Sequence, residues 1–249
     1  MKPKTEKTAY PAIPGKLLSI AVSILLCACL LSVSIALPIL VRNFYYLQIE
    51  GMNLPAQTGY SEETIREAYD DVLDYCTQGG ENADLTFRTG ELAWSESGKE
   101  HFDDVQRLFH LDFVIAILSG ALLMGLCIIS LILYLRRGRG LSFYRFLNRG
   151  PLFWGPVCML LIFGILAAIA AFDFDGFFTG FHHVLFPGKD TWLLDIDTDQ
   201  IIRILPYEVL SNFGLAILGL LAIGCAGCIA ADLFIGKRIR GSSQRSGQS

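Results

Sequence analysis

Charge is scarce in this chain. Only 18% of its residues are Asp, Glu, Lys or Arg, against about 25% in ordinary globular proteins. The shortage is also uneven: residues 17–41, 113–135, 151–172 and 209–231 carry no charge at all. Each run exceeds the roughly 17 to 20 apolar residues needed to cross a bilayer. A length of 249 residues would fit one or two water-soluble domains, but four such runs exclude them. The chain is expected to be an all-α membrane protein with four transmembrane helices.

Other absences narrow the chemistry. There is no His-Glu-x-x-His and no Gly-x-Ser-x-Gly, and no outward Ser or Cys is marked as a nucleophile. Of seven cysteines, Cys27, Cys29, Cys127, Cys158, Cys225 and Cys228 lie within the uncharged runs, where a thiol packs as a small hydrophobe. The Cys225-x-x-Cys228 spacing matches redox and metal motifs, but no second ligand pair accompanies it. Cys76 alone lies outside the runs, and one cysteine closes no internal disulfide. Neither a cofactor nor a metal is expected.

Acid is missing from residues 136–150, which carry Arg136, Arg137, Arg139, Arg145 and Arg149. The two ends are basic as well, with Lys2, Lys4, Lys7 and Lys16 at one and Lys237, Arg238, Arg240 and Arg245 at the other. Every acid except Glu6 and Asp232 falls in residues 42–112 or 173–208. The positive-inside rule then places both termini in the cytoplasm and both acidic segments outside. The expected organisation is a cytoplasmic tail 1–16, spans at 17–41, 113–135, 151–172 and 209–235, and a cytoplasmic tail 236–249. Between the spans lie an extracytoplasmic domain 42–112, a basic cytoplasmic loop 136–150 and an extracytoplasmic interfacial segment 173–208. The first run has the basic front of a signal peptide but is long for one and lacks a small-x-small site before a polar segment, so it is expected to stay as an anchor.

Within the outer domain, Phe44, Tyr45 and Tyr46 suit a membrane interface. Ser61 can cap a helix running to about Cys76, with Ile65, Ala68, Tyr69, Val72, Leu73 and Cys76 on one face and carboxylates on the other. That apolar face must lie on the domain's own core or on the membrane. Gly79-Gly80 ends the helix. Leu85 and Phe87, then Leu92 and Trp94, alternate around Thr89-Gly90 and predict a short hairpin, which makes the insertion α+β. Residues 141–147 of the basic loop read as an interfacial helix held by anionic lipid; nucleic acid is not expected as a partner. Residues 173–186 mix carboxylates, aromatics and two histidines, and predict irregular backbone held at the interface.

All four histidines, His101, His110, His182 and His183, lie in or at the edge of the outer segments. His101 and Asp104 share a helix face, and His101 and His182 each sit beside a span. Of His182 and His183, adjacent in sequence, only one can face a common pocket. Two chemistries compete: acid–base catalysis by His101 with His182, and a metal site from His101, Asp104, His182 and an aspartate. His-x-x-Asp is weak as a metal signature. A third reading is a non-enzymatic accessory or sensor protein whose outer domain binds a partner.

Several motifs occur in a recognisable order: Glu100-His101-x-x-Asp104-Val105, Phe181-His182-x-x-Leu185-Phe186, Trp192-x-x-Asp195 and Leu205-Pro206. With four spans and a large first outer segment, the chain from about residue 17 to 236 resembles the lipoprotein intramolecular transacylase family of bacterial membrane proteins. Two details depart from that pattern: Leu185 stands where a second aromatic is usual, and Tyr207 separates Leu205-Pro206 from Glu208. The resemblance implies transfer of one acyl chain from the diacylglyceryl group of a lipoprotein's N-terminal Cys to that residue's own α-amine. It implies His101 and His182 as the key histidines, and in the acid–base reading Asp104 orients His101. Glu100, Phe181, Trp192 and Asp195 are then candidate substrate contacts. Arg203 and backbone amides near Gly180 are candidate oxyanion donors. Lipid-anchored lipoproteins and membrane lipid are the implied partners, and a bacterial plasma membrane the implied location.

Overall fold

The computed structural model describes residues 15–78 and 87–246, with side chains as far as Lys237. Lys2, Lys4 and Lys7, the Gly79-Gly80 break and Leu85 lie outside the described residues. Helix α1 spans Gly15–Leu40, α2 Arg42–Gly51, α3 Leu54–Thr58 and α4 Glu62–Gln78. These are followed by α5 (Glu96–Arg137), α6 (Pro151–Phe172), α7 (Phe174–Leu185), α8 (Ile201–Ile204) and α9 (Tyr207–Ser246). Four of them, α1, α5, α6 and α9, are long and apolar enough to cross a membrane. Helix α1 packs on α5, α6 and α9, and α6 packs on α9. Met159, Leu221 and Cys225 are buried between them, with Cys27 and Leu30 against that cluster. Leucines and isoleucines such as Leu17, Ile117, Leu161 and Ile223 are left pointing outward. In water that surface would be prohibitive; in lipid it is the expected one.

A second core lies above one end of the bundle. It is built from α2, α3, α4, the first turns of α5, and α8, and includes Tyr45, Ile49, Leu54, Ile65, Tyr69, Val72, Phe102, Ile201 and Ile204. Helix α4 begins where Ser61 Oγ accepts from the Thr64 N–H at 3.1 Å, and its apolar stripe faces this core rather than lipid. Cys76 is buried there, 3% exposed, and burial pushes its thiol up to about 12, so it is inert packing. Of the aromatics 44–46, Tyr45 is fully buried and Phe44 and Tyr46 are half-buried. Tyr45 stacks on Tyr69 at 3.8 Å and its hydroxyl donates to the Ile204 carbonyl at 2.7 Å. The Tyr46 hydroxyl donates to Asp70, which also pairs with Arg42 at 2.9 Å.

Three local expectations are corrected. No strand occurs among the described residues, so the outer insertion is helical, not α+β. Thr89 instead makes a tight turn, its hydroxyl donating to the Leu92 carbonyl at 2.5 Å. Phe87 and Leu92 both bury their side chains in the core. Two apolar side chains anchored on either side of a turn mimic hairpin alternation. Residues 141–147 form no helix: Leu147 and Asn148 take positive φ of 48° and 62°, in a turn over residues 146–149 closed by Phe146 and Arg149. Residues 174–185, expected to be irregular, are helix α7. Asp173 caps it, accepting from the Gly176 N–H at 2.9 Å, and Phe174 stacks on Phe178 one turn later at 5.9 Å.

Candidate active site

Helix α5 is continuous over 42 residues, about 63 Å at 1.5 Å per residue. Its uncharged part, 113–135, is the length of a span. Its polar first turns rise into the outer domain and carry His101 and Asp104. Ser95 caps the helix, accepting from the Gly98 N–H at 3.0 Å. Ser95 is itself held by Asp199: its N–H and its hydroxyl each reach that carboxylate at 2.9 Å. Beside this clamp, Ala93 and Gln200 exchange two hydrogen bonds of 3.0 Å. A Cβ on Gly98 would come within 2.0 Å of Asp199 Oδ1, so the helix start approaches the loop as closely as only glycine permits.

His182 sits near the end of α7, which leaves α6 directly. His101 and His182 are both buried, 8% and 7% exposed, with ring centres 5.9 Å apart. His183, its sequence neighbour, is exposed. His182 lies on the Trp192 ring at 4.8 Å and against Phe178 at 4.0 Å. Phe186 meets His101 edge-on at 5.2 Å. The His182 Nδ1 lies 2.7 Å from the Phe178 carbonyl oxygen, which can only accept. Nδ1 therefore carries the proton, and in the neutral ring Nε2 carries the lone pair. His101 differs: its Nδ1 is buried without a hydrogen-bond partner among the described residues.

Burial lowers the His101 pKa to about 4, helped by His182 and opposed by Asp104. Burial also lowers that of His182, against the Phe178 carbonyl, which favours its protonated form. Both rings are neutral at pH 7. Two unit charges 5.9 Å apart repel by about 3 kcal/mol at an effective dielectric of about 20, so the pair takes up one proton far more readily than two.

The other candidates divide. Asp104 is buried, but its oxygens accept from Arg107 at 3.0 Å and from Lys189, not from His101. Lys189 follows α7, its carbonyl accepting from the Trp192 indole at 3.0 Å, so this ion pair ties α5 to the segment that covers the histidines. Phe181 is half exposed and edge-on to His182 at 5.5 Å. Glu100 is exposed. Asp195 shapes a turn, accepting from the Asp197 N–H at 2.8 Å. Arg203 binds the Ile196 carbonyl at 3.2 Å and Asp197 at 3.3 Å, which commits it to that same loop. Gly180 lies inside α7, where its N–H belongs to the helical ladder. Among the described residues no group of three or more His, Cys, Asp or Glu could hold a metal.

Residues 20–209 match the family described as lipoprotein intramolecular transacylase Lit. The chain belongs to the lipoprotein intramolecular transacylase family. It is therefore a membrane-integral acyltransferase, and the reading as a non-enzymatic accessory protein falls away. Its fold is similar to that of the membrane-integral transacylase Lit from Bacillus cereus, with a TM-score of 0.69 and 23% identity over 90% of this chain and 96% of that one. Variants of that protein with one histidine replaced by arginine or by alanine match with TM-scores of 0.66 and 0.65, each at 22% identity. The arginine variant's match covers 91% of this chain and 93% of that one, the alanine variant's 90% and 94%. No curated protein sequence matches the chain.

The residues that sequence reasoning missed at this candidate site are Lys189, Asp199 and the Phe178 carbonyl. Lys189 carried a signal: with Arg203 it is one of two cations in an otherwise acidic outer segment. Phe178 stands one helical turn before His182, which becomes informative only once the segment is known to be helical. Asp199 carried none.

Proposed function

We propose that this transacylase moves an acyl chain from the diacylglyceryl group of a lipoprotein's N-terminal Cys to the α-amine of the same residue. The neutral amine nitrogen attacks the ester carbonyl carbon, and a C–N bond forms. His101 accepts the proton released from nitrogen. The C–O bond to glycerol then breaks, and the departing oxygen takes the proton back from His101. Amide and free hydroxyl are the products, and no acyl-enzyme intervenes. His182, with its proton fixed on Nδ1, offers Nε2 as a second acceptor or as a contact to the glyceryl ester. Donor and acceptor belong to one molecule, so holding them in reacting geometry supplies much of the rate.

The observation that carries this reading is the buried, unpartnered Nδ1 of His101 beside a second neutral imidazole. An orphaned buried polar atom is costly unless it serves a function, and a substrate proton would satisfy it. Phe181 and Trp192 form the apolar surround of the ester. Asp104 positions the site through Lys189. The apolar side chains left exposed along α7, Phe181 and Val184, offer a lateral way in for a lipid-anchored substrate at the extracytoplasmic face of a bacterial plasma membrane, with both termini cytoplasmic.

The test is to co-express the chain with a diacylated lipoprotein and weigh the N-terminal lipopeptide by mass spectrometry. We expect the lyso-form, N-acylated with one remaining glyceryl ester, and a loss of about 100- to 10,000-fold in its rate of formation for His101→Ala, the range of general acid–base contributions. An unrearranged lipopeptide with wild type, or undiminished product with His101→Ala, overturns the proposal.

A further inference from the structure

At the bundle end opposite the histidines lies a cavity of about 390 Å³ between α1, α6 and the turn before α6. Helix α6 begins there at Pro151 and runs to Phe172, beside the start of the His182-bearing helix, so the two sites are a full helix apart. Ile20, Ile24, Trp154 and Cys158 are among its walls, and Lys16 and Arg149 line it too. Its volume falls within the roughly 300–1,000 Å³ of small-molecule sites.

Three of the polar side chains in its wall are already engaged. The Ser19 hydroxyl accepts from the Tyr144 N–H at 2.7 Å and donates to its carbonyl. The Ser23 hydroxyl donates to the Pro151 carbonyl at 3.3 Å, and the Trp154 indole to the Phe146 carbonyl at 3.1 Å. Hydrocarbon wall and two cations are the main features it offers an occupant. Lys16 is exposed, with its ammonium 5.1 Å from the centre of the Tyr144 ring. Arg149 lies over Phe153 at 5.3 Å and reaches Asp232 only at 4.0 Å. That carboxylate is taken by Arg145 at 3.1 Å and by the Gly150 N–H at 3.0 Å. Among the described residues, the surface around the cavity therefore has more positive charge than Asp232 offsets.

We propose that this cavity is a binding site for an anionic phospholipid, with one acyl chain along Ile20 and Ile24 and the phosphate between Lys16 and Arg149. An apolar slot whose serine hydroxyls are already bonded selects a chain, and cations beside it select a phosphate. The site takes lipid that is not turned over, in the leaflet opposite the one where the histidines act. It fixes the turn from Leu141 to Gly150 against α1.

Native mass spectrometry of the delipidated full chain in detergent tests this, with phosphatidylglycerol, phosphatidylcholine of the same chains, and chain-free glycerol phosphate as probes. One phosphatidylglycerol per chain is expected to survive activation that strips phosphatidylcholine. Lys16→Gln should weaken its retention about tenfold. Ile24→Trp, at a position 63% exposed and so tolerant of the larger ring, should weaken both lipids by obstructing the chain. Equal retention of the two lipids, wild-type retention in both variants, or glycerol phosphate binding as tightly as the lipid would each overturn the proposal. Melting of the lipid-free variants alongside wild type checks that they are folded.

Discussion

The imidazoles of His101 and His182 lie 5.9 Å apart, yet the protein treats them unequally. One has its proton fixed by the Phe178 carbonyl; the other has a ring nitrogen with no partner among the described residues. A fixed ring beside a free one suits a proton that must be taken and returned within a single catalytic cycle.

Acid should limit the reaction through the substrate rather than the enzyme. His101, lowered to about 4 by burial and His182, is neutral through the range in which an α-amine near 7.7–8.0 loses its proton. Product formation in detergent should rise with pH through that range, with no inflection near 6.5. Stability moves in the same direction. Between about pH 4 and 6.5 the unfolded chain protonates His101 and the folded chain does not, so the fold weakens as pH falls through this window and levels below it. A pKa lowered from 6.5 to about 4 corresponds to about 3 kcal/mol, with His182 adding to it. His101→Gln should flatten most of this slope in thermal melts taken from pH 7 to 4; an unchanged slope would contradict a buried neutral His101.

Asp104 and Lys189 should behave as a pair. If Asp104 acts by tying α5 to the segment after α7, then Asp104→Asn and Lys189→Met should each slow lipopeptide rearrangement by about tenfold. Such a loss is about 1.4 kcal/mol, between the roughly 0–1 kcal/mol of an exposed ion pair and the roughly 3–5 kcal/mol of a fully buried pair losing one partner. The exchange Asp104→Lys with Lys189→Asp should recover part of it. Were Asp104 an orienter of His101 alone, Lys189→Met would leave the rate untouched.

Gly98 should tolerate no side chain. Gly98→Ala puts a methyl group 2.0 Å from Asp199 Oδ1 and breaks the clamp on Ser95. A loss of about 1–3 kcal/mol is expected, as for other overpacked sites, read as a lowered melting temperature. Asp199→Gly in the same chain should restore room without restoring the clamp. If the double variant were fully as stable as wild type, the Asp199–Ser95 bonds would count for nothing.

The sequence carried the four spans because a long uncharged run leaves the chain one choice in lipid. It carried α4 as well, since Ser61 and a regular apolar stripe define both its start and its buried face. The pairing of His101 with His182 was legible only as two histidine stretches on one side of the membrane. The contact itself depends on α7, whose glycines at 176 and 180 and acids at 173 and 175 read as irregular chain. One of those acids, Asp173, turned out to be the cap that starts the helix. Lys189 and Asp199 act across more than 80 and 100 residues of sequence respectively, at loop positions where no periodicity exists to be read.

Helix α5 runs without a break from His101 to Arg137, and this makes it a ruler. About 50 Å of rigid helix separates the His101 imidazole from the arginines at the far end. The height of His101 above the lipid is therefore set by where Arg136 and Arg137 come to rest beneath it. Adding one residue within 113–135 would lift His101 by about 1.5 Å and turn it by about 100°, moving it off His182 altogether. Bilayer thickness and helix tilt thus become coordinates of the chemistry.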